Sequence, residues 1–452
     1  MRAGAMILLA ATAGAGAVQA AEAPAFKPVR SDEDYSYLAR VDRSGLDVLR
    51  YIPIGGDAHL TLGGEARVRI DAFDAPRFGV ADEEADTYAL VRGLVSADLH
   101  LGDRVRIYGE LGWHRDIDKT DAPALTDRDA LDAQVAFVDV TPDVARRWRL
   151  RLGRQELTFS PTQRFVAVRE GPNIRQSFDG LRVTRQTEGL RLDAFYVTPV
   201  TIAQGAFNDS SNRAQRFYGV YAAGRLAKGL NLDVYALELD RDAVKFGTVT
   251  GDERRRSLGA RLAGQTGAID FEAEGMLQRG SFAGQKIRAW GGSVGGGYTL
   301  AAPWKPRLGL RVDASSGDKD PTDGRLQTFN PLFPKGAYFN ESGLTSWSNL
   351  MAIRPSLGLS PTKTVSLEVS YLDRARLTGG DAVYLQPSAV LPGSLASRAK
   401  AVGHALQADV SWQATRNVKL QVQAIRQEVD AAVKAAGGRD GDFVMAIVQY
   451  RF

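Results

Sequence analysis

The 452-residue chain contains no cysteine. That excludes a disulfide framework, a thiolate metal site and a cysteine nucleophile. Histidine is scarce too: His59, His100, His114 and His404 are the four present, and no two stand at metal-binding spacing. Neither Gly-x-Ser-x-Gly nor His-Glu-x-x-His occurs, so the common hydrolase signatures are missing. Beyond the first twenty residues, no window approaches the ~18 uninterrupted apolar residues of a transmembrane helix. With a mean hydropathy of -0.21, a polytopic helical membrane protein is excluded. A strong charge of one sign is also absent, because 57 basic and 53 acidic residues leave a formal net charge of +4.

What the chain does have is glycine (47 residues) and a marked preference for arginine over lysine. Its first twenty residues read as a secretory signal. Arg2 supplies the basic start, Met6-Ile7-Leu8-Leu9 heads the apolar stretch, and Val18-Gln19-Ala20 is a small-x-small cleavage site. Residues 1–20 are therefore expected to be a signal peptide, 21–57 a periplasmic N-terminal segment, and 58–452 one domain without linkers.

From residue 58 onward the pattern has a period of two. Leu60, Leu62, Gly64, Ala66, Val68 and Ile70 alternate with Thr61, Glu65, Arg67, Arg69 and Asp71. Similar alternation recurs in Val105–Trp113, Leu308–Ala314, Leu406–Trp412 and Val418–Val422. Successive strand side chains point to opposite faces, so each segment has an apolar and a polar side. Eighteen such segments are placed, starting near residues 58, 88, 104, 131, 147, 178, 189, 215, 229, 254, 267, 286, 305, 350, 363, 402, 416 and 440. The one at 131 alternates poorly, and the one at 286 is rich in glycine. Tight connections such as Gly102-Asp103 and Thr415-Arg416 alternate with long ones such as 160–177, 317–349 and 375–401. Hairpins that turn tightly on one side of a membrane and loop freely on the other produce this alternation. The last strand places Val444, Ala446, Val448, Tyr450 and Phe452 on one face, and it resembles the C-terminal insertion signal of bacterial outer-membrane barrels.

The expected fold class is all-β: a transmembrane antiparallel β-barrel of about 18 strands, with short periplasmic turns and long extracellular loops, in the outer membrane of a Gram-negative bacterium. Trp113, Trp148, Tyr218, Tyr371, Trp412, Tyr450 and Phe452 are candidate interfacial residues. The polar register places Arg67, Arg69, Arg92, Arg106, Arg149, Arg151, Arg182, Arg191, Arg261, Arg307, Arg311, Arg354, Arg374, Lys419 and Arg451 in the lumen. Arg154 joins them if a bulge at Gly153 turns it inward. Acidic residues are fewer on that face, and half or more of the arginines are expected to brace the wall through ion pairs. The remainder suits carboxylates, which a planar guanidinium binds bidentately. Arg254-Arg255-Arg256 reads as an attractor for anions at the barrel mouth, or as a contact for lipopolysaccharide. Acidic pairs such as Glu83/Glu84 read as solvated loop charge. No catalytic residue, metal site, cofactor or nucleic-acid partner is expected.

Several stretches together carry a family resemblance. Arg50-Tyr51-Ile52-Pro53-Ile54-Gly55 leads into Leu60-Thr61-Leu62-Gly63-Gly64-Glu65-Ala66-Arg67, and Arg151-Leu152-Gly153-Arg154-Gln155-Glu156-Leu157 follows later. With Gly317-Asp318-Lys319-Asp320-Pro321 and Phe329-Asn330-Pro331-Leu332-Phe333-Pro334, they resemble the alginate export family of outer-membrane porins. The resemblance implies a monomeric 18-stranded barrel with an arginine-lined pore for polyuronate. It also implies contact with lipid, lipopolysaccharide and periplasmic export components, and assembly through the C-terminal Phe452. Arg67, Arg149, Arg151, Arg154 and Arg354 lie in or beside the matching segments. In the family's alginate exporter a periplasmic plug loop precedes the last strands, whereas Ala414-Thr415-Arg416-Asn417 is tight here. A general, small-anion or acidic-sugar uptake porin of the same fold is therefore the alternative, with 317–349 or 375–401 as the gating loop if one exists.

Overall fold

The computed structural model describes residues 26–81, 83–121, 123–246 and 249–452, so the expected signal, residues 1–20, lies outside the described residues. From residue 58 the chain forms a closed 18-stranded antiparallel barrel. Its first half comprises β1 Ala58–Phe73, β2 Asp86–Leu101, β3 Val105–Ile117, β4 Asp129–Val140, β5 Trp148–Gln155, β6 Phe178–Thr187, β7 Leu190–Thr201, β8 Gln215–Ala227 and β9 Leu230–Phe246. The second half comprises β10 Val249–Thr266, β11 Ile269–Phe282, β12 Gln285–Thr299, β13 Arg307–Ser315, β14 Leu350–Leu359, β15 Val365–Ala375, β16 Ala401–Gln413, β17 Val418–Val429 and β18 Gly441–Arg451. The strand expected from residue 254 starts at Val249, because β9 and β10 extend as a hairpin past a register slip between Arg241 and Val244. Every other start falls within two residues of expectation.

Closure is made by β1, which pairs with β2 on one edge and with β18 on the other, from Glu65 opposite Arg451 to Phe73 opposite Phe443. In hydrocarbon every backbone N–H and C=O needs a partner, and a sheet supplies them all only by having no edge. No described helix is long and apolar enough to cross a membrane. The period-two pattern sets the faces: Arg67, Arg69 and Asp71 are buried, while Val68 and Ile70 are exposed. Outward Val95, Leu152, Val220, Leu258 and Val294 continue the apolar belt around the barrel, with Trp113, Trp148, Tyr371, Trp412 and Tyr450 also exposed. The poor alternation of β4 has a cause in its pairing with β3, which slips between Glu110 and Leu111 and again between Gly112 and His114.

The C-terminal residue is bonded into the closing seam. Gly64 and Phe452 exchange backbone hydrogen bonds of 3.1 and 3.0 Å, and Arg30 donates to the Phe452 carbonyl oxygen at 3.1 Å. The Phe452 ring lies where a side chain at residue 64 would be, since a Cβ there would sit 2.4 Å from it. The described part of the N-terminal segment lies at the short-turn end. It contains the turns Arg30–Asp32 and Ser36–Arg40, the helix Asp47–Arg50 and the strand Ile52–Gly55, which folds back on β1.

Gly64→Val is expected to lower the fraction of protein that folds, read as the share with heat-modifiable electrophoretic mobility. Gly109→Ala, where a Cβ meets nothing within 4 Å, is expected to match the parent. Equal folding of both variants would show that the seat of Phe452 over Gly64 is dispensable.

Candidate channel lumen

Strand register brings the inward charges of neighbouring strands together, and guanidinium meets carboxylate at most positions. Arg106 pairs with Asp98 at 2.7 Å and Arg151 with Asp139 at 2.7 Å. Arg182 and Arg191 share Asp193 at 2.8 and 2.7 Å, and Arg261 bridges Asp233 and Glu272 at 3.2 and 2.6 Å. Farther round the wall, Arg307 meets Asp270 at 2.6 Å, Arg311 meets Asp313 at 2.9 Å and Arg354 meets Glu368 at 2.8 Å. Glu65, fully buried, receives Arg92 and Arg451 at 2.6 and 2.9 Å. Among the described residues, the expected pore cations without a carboxylate partner are Arg149, Arg374 and Lys419. Arg374 is covered, donating to Gln427 Oε1 at 2.7 Å and Thr345 Oγ1 at 3.1 Å.

Arg154 is a correction. The strand parity of β5 places it on the face of exposed Trp148, Leu150 and Leu152, and its guanidinium pairs with Asp179 at 2.9 Å and reaches the Asp209 carbonyl oxygen at 3.3 Å. Gly153 has φ +130° but does not change the parity, so buried Gln155 is the inward residue. The Arg254-Arg255-Arg256 run is likewise split by parity. Arg255 is buried against Glu253 at 2.6 Å, while Arg254 and Arg256 point outward.

Two of the long loops enter the barrel. Residues 156–177 and 316–349 meet inside it, where the Phe333 N–H donates to Phe165 O at 3.0 Å and the Ala167 N–H to Phe333 O at 2.9 Å. Phe159, Phe165, Phe329, Tyr338, Phe339 and Trp347 from these loops pack with inward Phe195, Phe217, Tyr221 and Tyr235 of β7 to β9. The lumenal face is therefore apolar in part, where the sequence pattern predicted a polar one throughout.

The first loop is tied down by charge at Glu170. Its carboxylate meets Arg92, and also Arg175 at 3.3 Å, Arg67 at 3.7 Å and Arg451 at 3.8 Å. Burial opposes its ionisation, but the guanidiniums of Arg92 and Arg175 outweigh that and hold the pKa down at about 2. Arg67 also donates to the backbone carbonyls of Glu170 and Pro172 at 2.7 and 3.0 Å. The second loop is held from the facing wall: Tyr338 donates to Asp313 at 2.8 Å, and Arg164, from the first loop, pairs with Glu272 at 2.6 Å and with Glu274. Arg164, Glu170, Arg175, Lys335 and Tyr338 escaped the sequence-based assignment because they lie outside strands. The aromatic content of both loops was the available signal, since solvated loops have little use for seven large rings.

Toward the short-turn end the lumen widens into a cavity of about 840 Å³ and another of about 570 Å³. The larger is lined by Arg67, Arg69, Lys335, Lys363, Arg416, Lys419 and Arg451, with Glu170 and Glu341 as its acids. Phe26 and Pro28 reach its edge, and Asp47 is bonded to Arg416 at 3.0 Å. Positive charge therefore gathers in this chamber, although it cancels along most of the wall. Elsewhere, Asp129, Asp132 and Asp209 bring carboxylate oxygens within 4.8 Å of one another. Their oxygens accept backbone N–H groups of Ala203, Asn208 and Asp209, which makes the trio an anchor for the loop after β7. Burial and the neighbouring carboxylates raise Asp209 to about 6.

A family model described as Alginate export matches residues 58–447. No curated protein sequence matches the chain significantly. Among solved structures, Acinetobacter baumannii OccAB1 is similar with a TM-score of 0.61 at 11% identity, covering 90% of this chain and 99% of its own. Pseudomonas aeruginosa OccK2 (OpdF), solved in complex with glucuronate, has a TM-score of 0.57 at 12% identity, covering 87% of this chain and 98% of its own. At these identities the likeness is one of fold.

Glu170→Gln removes the charge that pins the first loop, and single-channel conductance is expected to rise and become noisier at neutral pH. In the parent, the folded pKa of Glu170 is depressed, so its contribution is fully present above the ordinary glutamate range. It is lost only as the pH falls below ~4 toward about 2. Conductance of the parent is therefore expected to show no Glu170-dependent step between neutral pH and that range. A step near neutrality that Glu170→Gln abolishes would contradict the clamp. Glu65→Leu leaves Arg92 and Arg451 with Glu170 as their one remaining carboxylate among the described residues, so the loss is expected at or below the roughly 3–5 kcal/mol of a broken buried pair, measured as a lower urea midpoint for unfolding.

Proposed function

This chain belongs to the alginate export family, and on that premise we propose that it is a passive channel for saccharide carboxylates, with polyuronate chains as its leading permeant. The family and the barrel make it an outer-membrane channel of a Gram-negative bacterium. The finer proposal is carried by one observation: the lumenal chamber gathers seven cations, three of which, Lys335, Lys363 and Lys419, have no carboxylate partner among the described residues. Wet guanidinium or ammonium contacts are worth ~1 kcal/mol each. A permeant ion must leave as readily as it enters, so several weak contacts in a row suit a carboxylate chain better than one tight site. Transport of this kind needs no catalytic group. In this proposal residues 1–20 direct export and are removed, and residues 21–57 lie at the periplasmic mouth. The barrel works as a monomer, and Phe452 serves the barrel-assembly machinery. The direction of polyuronate passage is outward, with periplasmic export components delivering it.

A second proposal, uptake of small acidic sugars, draws support from the Glu170 clamp. A loop fixed across the barrel narrows what passes, and OccK2, which shares the fold, was solved with glucuronate. The two differ in permeant length.

In a planar bilayer under a salt gradient, the reversal potential is expected to report anion selectivity, and uronate oligomers are expected to block the current from the periplasmic side. Lys335→Gln with Lys419→Gln is expected to weaken that block by roughly tenfold, about 1.4 kcal/mol. Cation selectivity would overturn both proposals. Anion selectivity with passage of monomeric glucuronate and no oligomer block would favour uptake.

A further inference from the structure

The outside of the barrel carries an ordered row of cations across β10, β11 and β12. Arg256 stands opposite Arg279, and Arg279 opposite Arg288. Two residues nearer the long-loop end, Arg254 stands opposite Ser281 and Ser281 opposite Lys286, with Arg325 paired beside Lys286. All six cations are exposed. The acids paired with the row lie on β9, where Glu238 meets Arg256 at 3.1 Å and Asp240 meets Arg254 at 3.5 Å. Arg279, Lys286, Arg288 and Arg325 have no carboxylate partner among the described residues. Like charges directly opposite one another weaken a sheet, so a row of this kind calls for an anion from outside the chain.

Its height on the barrel indicates which anion. Directly below the row, Leu258 stands opposite Leu277 and Leu277 opposite Trp290, and they are 63%, 57% and 43% exposed. The outward face stays apolar down to Tyr298 near the short-turn end of β12. The ten residue steps from Tyr298 to Arg288 span ~33 Å of strand, or about 25 Å of height at a tilt of ~40°, which is the height of an outer-membrane apolar band. The arginines thus stand where acyl chains end and head groups begin, in the leaflet on the long-loop side.

We infer that this row binds the phosphates of the outer-leaflet glycolipid, the acylated, doubly phosphorylated disaccharide of lipopolysaccharide. Leu258, Leu277 and Trp290 lie along its acyl chains. The forks of Arg279 and Arg288 take phosphate oxygens bidentately, as guanidinium geometry favours, and Ser281 and Glu238 face the sugar hydroxyls. Two inter-strand spacings make the row ~10 Å wide, which fits a head group with more than one phosphate better than a single phosphodiester. The inference rests on the outer-membrane location and is independent of what the lumen conducts.

The test is native mass spectrometry of the full-length protein refolded in detergent, offered diphosphoryl lipid A, its dephosphorylated form, phosphatidylglycerol or inorganic phosphate. Retention of diphosphoryl lipid A is expected, with little of the dephosphorylated form. Arg279→Gln with Arg288→Gln is expected to lower retention by at least about tenfold, with single-channel conductance unchanged. Arg288→Gln alone breaks no ion pair of the folded chain and repeats the test if the double variant fails to fold, with a loss of roughly threefold. Equal retention by parent and variants would overturn the inference. So would equal retention of phosphatidylglycerol or of the dephosphorylated lipid, or displacement of the lipid by millimolar inorganic phosphate.

Discussion

The contact between Glu170 and the guanidiniums around it decides the shape of the lumen. An 18-stranded barrel is too wide for its own side chains to fill, so chain segments must enter it or water must. A loop that enters carries backbone polar groups away from bulk water, and each needs a partner. Arg67 supplies two donors to the carbonyls of Glu170 and Pro172, while the Asn173 amide serves the carbonyls of Val91 and Asp127 at 2.9 Å each. The same loop carries the Glu170 carboxylate, held among Arg67, Arg92, Arg175 and Arg451. A buried ion pair is weak evidence of net stability, because desolvation offsets much of the attraction. What the cluster does supply is a position, since three wall arginines, Arg67, Arg92 and Arg451, converge on one loop carboxylate.

The barrel was legible in the sequence because one physical rule, alternation, governs every strand. Apolar residues must face lipid, so a greasy residue at every second position is enforced along the whole chain, and even the glycine-rich β12 keeps the register of its neighbours. The rule loses information where the register slips. β4 alternated poorly because its pairing with β3 slips twice, and the β9–β10 hairpin outran its expected start past another slip. The interior was less legible. Alternation states which residues face inward but not what they meet there, and it says nothing of loops. Inward Phe195, Phe217, Tyr221 and Tyr235 have aromatic partners 316–349 and 156–177 supply from far along the chain. Arg154 was placed inward on the condition of a bulge at Gly153, whereas Gly153 serves to let the Ala136 carbonyl approach closely, which a Cβ would prevent.

The near-cancellation of total charge follows from the same sorting. Along the wall, most guanidiniums have a carboxylate on the same or a neighbouring strand, so those positions contribute structure and little field. The surplus collects at two places, the chamber at the short-turn end and the outer row at the long-loop end. These environments use cations differently. In the chamber, water screens the charges and contacts stay weak, as conduction requires. At the rim, a neighbouring low-dielectric layer strengthens each contact, as suits a lipid that is to stay.

The tripeptide Arg254-Arg255-Arg256 joins both arrangements within three residues. On a strand, consecutive side chains leave by opposite faces, so a run of three cannot form one patch. Arg255 goes inward, where Glu253 and Gln278 hold it at 2.6 and 2.8 Å, and Gln278 in turn donates to the Asn330 carbonyl at 2.7 Å, tying the second loop to the wall. Arg254 and Arg256 go outward, to Asp240, Glu238 and the arginine row. A run that reads as a single attractor at the barrel mouth therefore acts on both sides of the sheet. The outward pair gains its strength from Arg279 and Arg288 on neighbouring strands, not from its neighbour in sequence. Function on a closed sheet is read across strands, and the register that closes the barrel also assembles its sites.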